Sequence, residues 1–166
     1  MRKYLLVAST VTFFSCSQKI YVVRHAEKVK QEVGMSADVE LSTEGKNRAE
    51  ELAIVLKKKR IKNIFSTNTT RTKSTAAPLA KKRAIPIILY EAKPDSIFLK
   101  KINTCKGNVL VVGHSNTYDD IINLLCGGII IPTNLQDHEY DNLYEIIKRK
   151  GKIMRIENKK YGLLTN

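Results

Sequence analysis

Apolar and polar positions along the chain run in blocks whose period changes several times. Lys19–Arg24 holds the unbroken apolar run Ile20, Tyr21, Val22 and Val23, which predicts a strand covered on both faces. Residues 26–42 are polar and irregular and predict a loop. From Thr43 to Lys59 the period changes, and Ala49, Leu52, Ala53 and Leu56 fall on one helical face. Thr43 or Ser42 can cap that helix, with Glu44 near its positive end and Lys57–Arg60 at its negative end. Ile61–Ser66 predicts a second strand, Thr70–Arg83 a helix interrupted by Pro78, and Ile85–Tyr90 a third strand. Asp95–Asn103 predicts a short helix capped by Asp95 or Ser96, Asn108–Gly113 a fourth strand, and Asn116–Leu125 a helix stopped by Gly127 and Gly128. Leu143–Arg149 and Lys152–Glu157 flank Lys150-Gly151 and predict a terminal hairpin. Strands alternating with helices imply a single-domain α/β protein, three layers deep, with a mostly parallel sheet and an antiparallel edge.

The first eighteen residues fall outside this pattern. Arg2 and Lys3 precede an uncharged, mostly apolar run from Leu5 to Phe14, followed by Ser15, Cys16 and Ser17. A charged start, a short apolar run and a small residue make a secretory leader, and the run is too short to span a bilayer. The cysteine after a small residue resembles the lipobox of bacterial lipoproteins, although Phe13 and Phe14 depart from its usual leucine-bearing pattern. That resemblance implies a leader over 1–15, a lipid on Cys16, a short tether over 16–18, and a domain over 19–166. The protein is then exported and held in the cell envelope, facing the periplasm. The other reading is a plain cleaved leader with an incidental cysteine.

Composition narrows the partners. Three cysteines exclude a disulfide-rich scaffold and a four-cysteine metal site, and 43% hydrophobic residues argue against disorder. Cys105 and Cys126 are open to pairing or to separate burial. Twenty-nine Lys and Arg against sixteen Asp and Glu give +13, which favours anionic partners. Nucleic acid is disfavoured because no aromatic platform accompanies the charge.

The chemistry gathers at strand ends. The first strand runs into Arg24-His25-Ala26-Glu27, the second into Ser66-Thr67 and then Arg71, and the fourth into Gly113-His114-Ser115. Parallel α/β sheets bind ligands beyond the carboxyl ends of their strands. Two histidines, two arginines and a helix start on that edge suit a phosphate, because guanidinium forks and helix N-termini both favour it.

Four segments then resemble the histidine phosphatase superfamily, with its phosphoglycerate mutase-like fold. They are Val23-Arg24-His25-Ala26-Glu27, Leu41-Ser42-Thr43-Glu44-Gly45 with Arg48-Ala49, Phe65-Ser66-Thr67 through Arg71-Thr72 and Thr75-Ala76, and Val111-Val112-Gly113-His114-Ser115. The chain is most similar to the short, phosphohistidine-phosphatase type. The resemblance implies a phosphatase without cofactor or metal in which His25 forms a phosphohistidine. Arg24, Arg71, His114 and the backbone at Ser115 would hold the phosphoryl group. The expected substrate is a phosphorylated small molecule or protein, and the product inorganic phosphate. Glu91, after the third strand, is the expected general acid, with Asp95 nearby. Glu27 is a second candidate, and Glu139 with Asp141 a third. His138 reads as a surface residue. A non-catalytic phosphate-binding scaffold is the alternative.

Overall fold

The computed structural model describes residues 17–30, 38–132, 135–136 and 138–165. The expected leader and Cys16 lie outside the described residues, as does part of the 26–42 loop. Among the described residues the order is β1 (Gln18–Arg24), α1 (Thr43–Val55), β2 (Ile61–Thr67), α2 (Thr70–Arg83), β3 (Ile87–Tyr90), α3 (Ser96–Thr104), β4 (Asn108–Gly113), α4 (Tyr118–Cys126), β5 (Asn142–Arg149) and β6 (Lys152–Lys160). The strands form one sheet in the order β3-β2-β4-β1-β5-β6. β1 to β4 run parallel, and β5 and β6 add an antiparallel flank.

Strand alternation divides the core into two apolar layers. Ile20 and Val22 of β1 and Val109 and Val111 of β4 face α3 and α4, where they meet Phe98, Ile102, Ile121 and Ile122. Tyr21, Val23, Leu110 and Val112 face the other way, onto Leu52, Ala53 and Leu56 beside α1 and Ala76 and Leu79 of α2. Both faces of the central strands are therefore dry, which is why their sequences are continuous apolar runs.

Several boundaries differ from the sequence pattern. α1 stops at Val55, and the chain turns at Leu56–Lys59 before Arg60 adopts a left-handed conformation. β3 begins at Ile87, after Pro86, which has no N–H to give to a ladder. α4 begins at Tyr118 because Ser115–Thr117 form a turn. α2 runs unbroken through Pro78. Cys105 and Cys126 are free thiols, both half-buried.

Gly45 in α1 positions the loop after β1. A Cβ there would lie 2.0 Å from the Glu27 carbonyl oxygen, which accepts a 3.0 Å hydrogen bond from the Ser42 N–H. The Ser42 hydroxyl in turn caps α1 by accepting from the Gly45 N–H. The motif Leu41–Gly45 is thus the device that seats a helix start against the segment following His25. We expect Gly45→Ala to destabilise the fold by about 1–3 kcal/mol, because the obstacle is backbone and cannot rotate away. Urea denaturation beside Gly128→Ala, where a Cβ meets nothing within 4 Å, measures it.

Candidate active site

Parallel pairing of β1 with β4 places Arg24 opposite Gly113, and the His25 N–H extends the ladder with a 2.9 Å bond to the Gly113 carbonyl. The next residues of both strands, His25 and His114, therefore emerge side by side at the carboxyl edge. Their ring centroids lie 6.0 Å apart at 65°. Both are buried, His25 to 3% exposure and His114 to 7%.

Each imidazole is held in one tautomer. His25 Nδ1 lies 2.8 Å from the Ala26 carbonyl oxygen, which can only accept, so the proton sits on Nδ1 and the lone pair on Nε2. Ala26 is fixed in turn, its N–H donating to Thr75 Oγ1 over 2.9 Å. His114 Nδ1 lies 3.2 Å from Arg71 Nη2, which can only donate. His114 Nε2 therefore carries the proton and donates to Thr67 Oγ1 over 2.8 Å. Burial pushes the His25 pKa down to about 3, assisted by the charges of Arg24, Arg71 and His114 against the hydrogen bond to Ala26. Burial, then the Arg71 charge, lowers His114 to about 4. Both rings are neutral at pH 7.

The arginines flank this pair. Arg24 is 2% exposed, donates from Nη1 to the Gln136 carbonyl over 2.7 Å, and lies over the Tyr140 ring 4.2 Å from its centroid. The same ring is 6.1 Å from that of His25. Arg71 is the second residue of α2 and also faces Asp38, 3.8 Å from Nη1 to Oδ1. Asp38 accepts from the Thr70 N–H at 2.8 Å and from the Thr70 hydroxyl at 2.9 Å. Slight burial opposes ionisation of Asp38, but the Thr70 bonds and the Arg71 charge hold its pKa below the usual carboxylate range.

The expected residues thus meet at one edge: Arg24, His25, Arg71 and His114, with half-buried Ser115 opening the turn that follows. Glu91 is exposed, and it lines with His114, Thr67, Asn68 and Thr69 a cleft of about 360 Å³. The rival acids are engaged elsewhere. Glu27 is gripped by Arg48, whose Nε lies 2.8 and 2.9 Å from its two oxygens. Glu139 accepts from the Gln136 N–H, and Asp141 accepts from Lys160 and the Thr165 N–H. Asp95 caps α3 by accepting from the Phe98 N–H. His138 is exposed. Sequence reasoning missed Asp38 and Tyr140, and it placed Thr67 at a strand end without giving it a role. For Thr67 a signal existed, since it ends a strand beside His114's strand. For the other two none did.

The model of the histidine phosphatase superfamily (branch 1) matches residues 20–92, a stretch that contains Arg24, His25, Arg71 and Glu91 and stops short of His114. No curated protein matches the chain. Among solved structures, the protein histidine phosphatase SixA complexed with tungstate superposes with a TM-score of 0.65 at 16% identity, covering 89% of this chain and 96% of its own. A mycobacterial hydrolase gives 0.65 at 11%, covering 90% and 92%. The mycobacterial glucosyl-3-phosphoglycerate phosphatase gives 0.61 at 12%, covering 88% and 99%. At such identities the likeness is one of fold: this is the phosphoglycerate mutase-like α/β architecture.

Burial of neutral His25 also leaves a thermodynamic trace. Unfolding releases it to an ordinary pKa of 6.5, so between pH 6.5 and about 3 the unfolded chain binds a proton that the folded one does not. Stability gained from this group is complete above pH 6.5 and is lost as pH falls toward 3. Urea-derived stability plotted from pH 6 to 4 should be shallower for His25→Asn by up to about 1.4 kcal/mol per pH unit.

Proposed function

We propose that the chain is a histidine phosphatase, exported and anchored in the cell envelope through lipid on Cys16, and that His25 is its nucleophile. One observation carries the catalytic reading: the His25 Nδ1 proton is committed to the Ala26 carbonyl, which leaves Nε2 unprotonated beside two guanidinium groups. In this reading Nε2 attacks phosphorus, an N–P bond forms, and the P–O or P–N bond to the leaving group breaks. Arg24 and Arg71 offset the charge on the phosphoryl oxygens as it develops. His114 joins them by taking a proton from solvent on Nδ1 once a phosphate dianion draws Arg71 away from it. Thr67 keeps the ring oriented throughout. Glu91 supplies the proton that a poor leaving group needs. Water then attacks the phosphohistidine, the N–P bond breaks, and inorganic phosphate leaves with His25 restored.

The cleft between β2, β3 and His114 is small and open, which suits the phosphorylated end of a small molecule or a phosphorylated side chain. A glutamate at its wall, remote from His25's own strand, suits an acid acting on the leaving group from the far side.

Hydrolysis of an aryl phosphate should resist a chelator and fall by roughly three orders of magnitude in His25→Ala. Wild-type enzyme quenched in alkali during turnover should carry one phosphoryl group per chain, and His25→Ala none. Tight phosphate binding with no hydrolysis and no phosphoenzyme would leave the phosphate-binding scaffold as the better account. Glu91→Gln should separate substrates by leaving group. Alkyl phosphates should slow about 10²-fold or more, whereas aryl phosphates and phosphoramidate should change by less than about tenfold.

A further inference from the structure

The edge of the sheet opposite the histidines is formed by the starts of β1 to β4, the end of β5 and the turn into β6. The chain contributes four segments to it: 56–62, 81–86, 100–108 and 148–152. Together these hold fifteen lysines and arginines and not one aspartate or glutamate. More than half of the protein's basic residues therefore belong to one edge, although in sequence they are scattered in clusters of two to four.

Helix C-termini account for part of this. Lys81, Lys82, Arg83 and Lys101 lie in the last turns of α2 and α3, where the dipole favours cations. The effect fades within a turn, and Lys62, Lys106, Lys148, Arg149, Lys150 and Lys152 lie in no helix. They converge all the same. Ser17, Gln18, Arg60, Lys62, Lys106 and Asn108 line one cleft of about 550 Å³. Gln18 also lines its neighbour of about 390 Å³, with Asn103, Lys148 and Lys150. Lys148 is 6% exposed and donates to Asn103 Oδ1 over 2.6 Å. Among the described residues, carboxylates meet the lysines near this edge from its flanks: Glu50 pairs with Lys82, and Glu145 with Lys19.

We infer that this basic edge is a docking surface for an anionic lipid bilayer. Two further features select that occupant. The first is position: the face lies at the far end of the strands from His25, about 20 Å away along β1, so it cannot gather substrate into the cleft. The second is the chain itself. In the function proposed above the anchor is lipid on Cys16, and Cys16 directly precedes Ser17 and Gln18, which line the basic clefts. Lipid attached one residue before that lining would act together with the cationic face, the two-part arrangement by which weak anchors become firm ones. Docked this way, the protein turns its histidines toward the solvent.

The test uses the full chain carrying Cys16→Ser, so that no lipid is attached, and sedimentation with vesicles of phosphatidylcholine alone or with 30% phosphatidylglycerol. The leader, which this variant retains, contributes to both, so the readout is the ratio of the two partition coefficients and its decline with salt. Reversing Lys58, Lys62, Lys106 and Lys152 to Glu should reduce that ratio tenfold or more. Reversing Lys28, Lys30, Lys46 and Lys93, which match it in charge and lie off this edge, should change it less than about twofold. Equal losses in both variants would reduce the effect to net charge and overturn the inference, as would no loss in either. A single-stranded oligonucleotide that binds the face more tightly than vesicles of equal charge would also overturn it. If circular dichroism shows the Glu variant unfolded, the same lysines changed to Gln give the decisive reading. Hydrolysis is not measured, so this result is independent of the catalytic assignment.

Discussion

The pairing of Arg24 with Gly113 is the constraint from which the site follows. A parallel ladder fixes the stagger of β1 and β4 along their whole length, and a slip of one residue would turn every side chain to the other face. Val22 and Val111 would then leave one apolar layer while Val23 and Val112 left the other. The core therefore enforces the stagger, and the stagger sets His25 beside His114. Packing energy spread over two layers is converted into the position of two rings.

What surrounds the rings then determines their chemical state. Among the described residues neither has a carboxylate hydrogen-bonded to a ring nitrogen. His25 answers to a backbone carbonyl, His114 to a threonine and an arginine. Burial among positive charge keeps both neutral, the form in which a nitrogen lone pair is available. Glu27, two residues beyond His25, is diverted from the site by Arg48. That guanidinium also donates to the Tyr161 and Leu163 carbonyls and so ties the loop after β1 to the C-terminal segment. A charge that would have raised the His25 pKa is spent instead on holding the loop.

Most of the frame was legible in the sequence because it rests on local period. Continuous apolar runs marked the buried strands, and the rule that parallel sheets bind ligands at carboxyl ends gathered Arg24, His25, Arg71 and His114. Three kinds of feature were not legible. Element ends shifted where chain direction, not periodicity, decides: the lysines after Leu56 suit a helix terminus, yet the helix had already stopped at Val55. Contacts made by loops, such as Asp38 to Thr70 or Tyr140 beneath Arg24, depend on the path of polar segments without pattern. The merging of scattered basic clusters into one edge needed the strand order, which no single cluster reveals.

The central place of β1 also bears on how the molecule comes to exist. Of the described strands this one is made first, yet both its neighbours come much later: Lys19 meets Asn108 across 89 residues and Glu145 across 126. Closing such loops is entropically slow, and a topology rich in them folds slowly for its size. Until β4 and β5 arrive, the apolar run from Ile20 to Val23 has no partners and the two histidines have no common edge. The sheet therefore cannot close around β1 until its last partners are made, and the buried strand at its middle is among the latest parts of the domain to be covered.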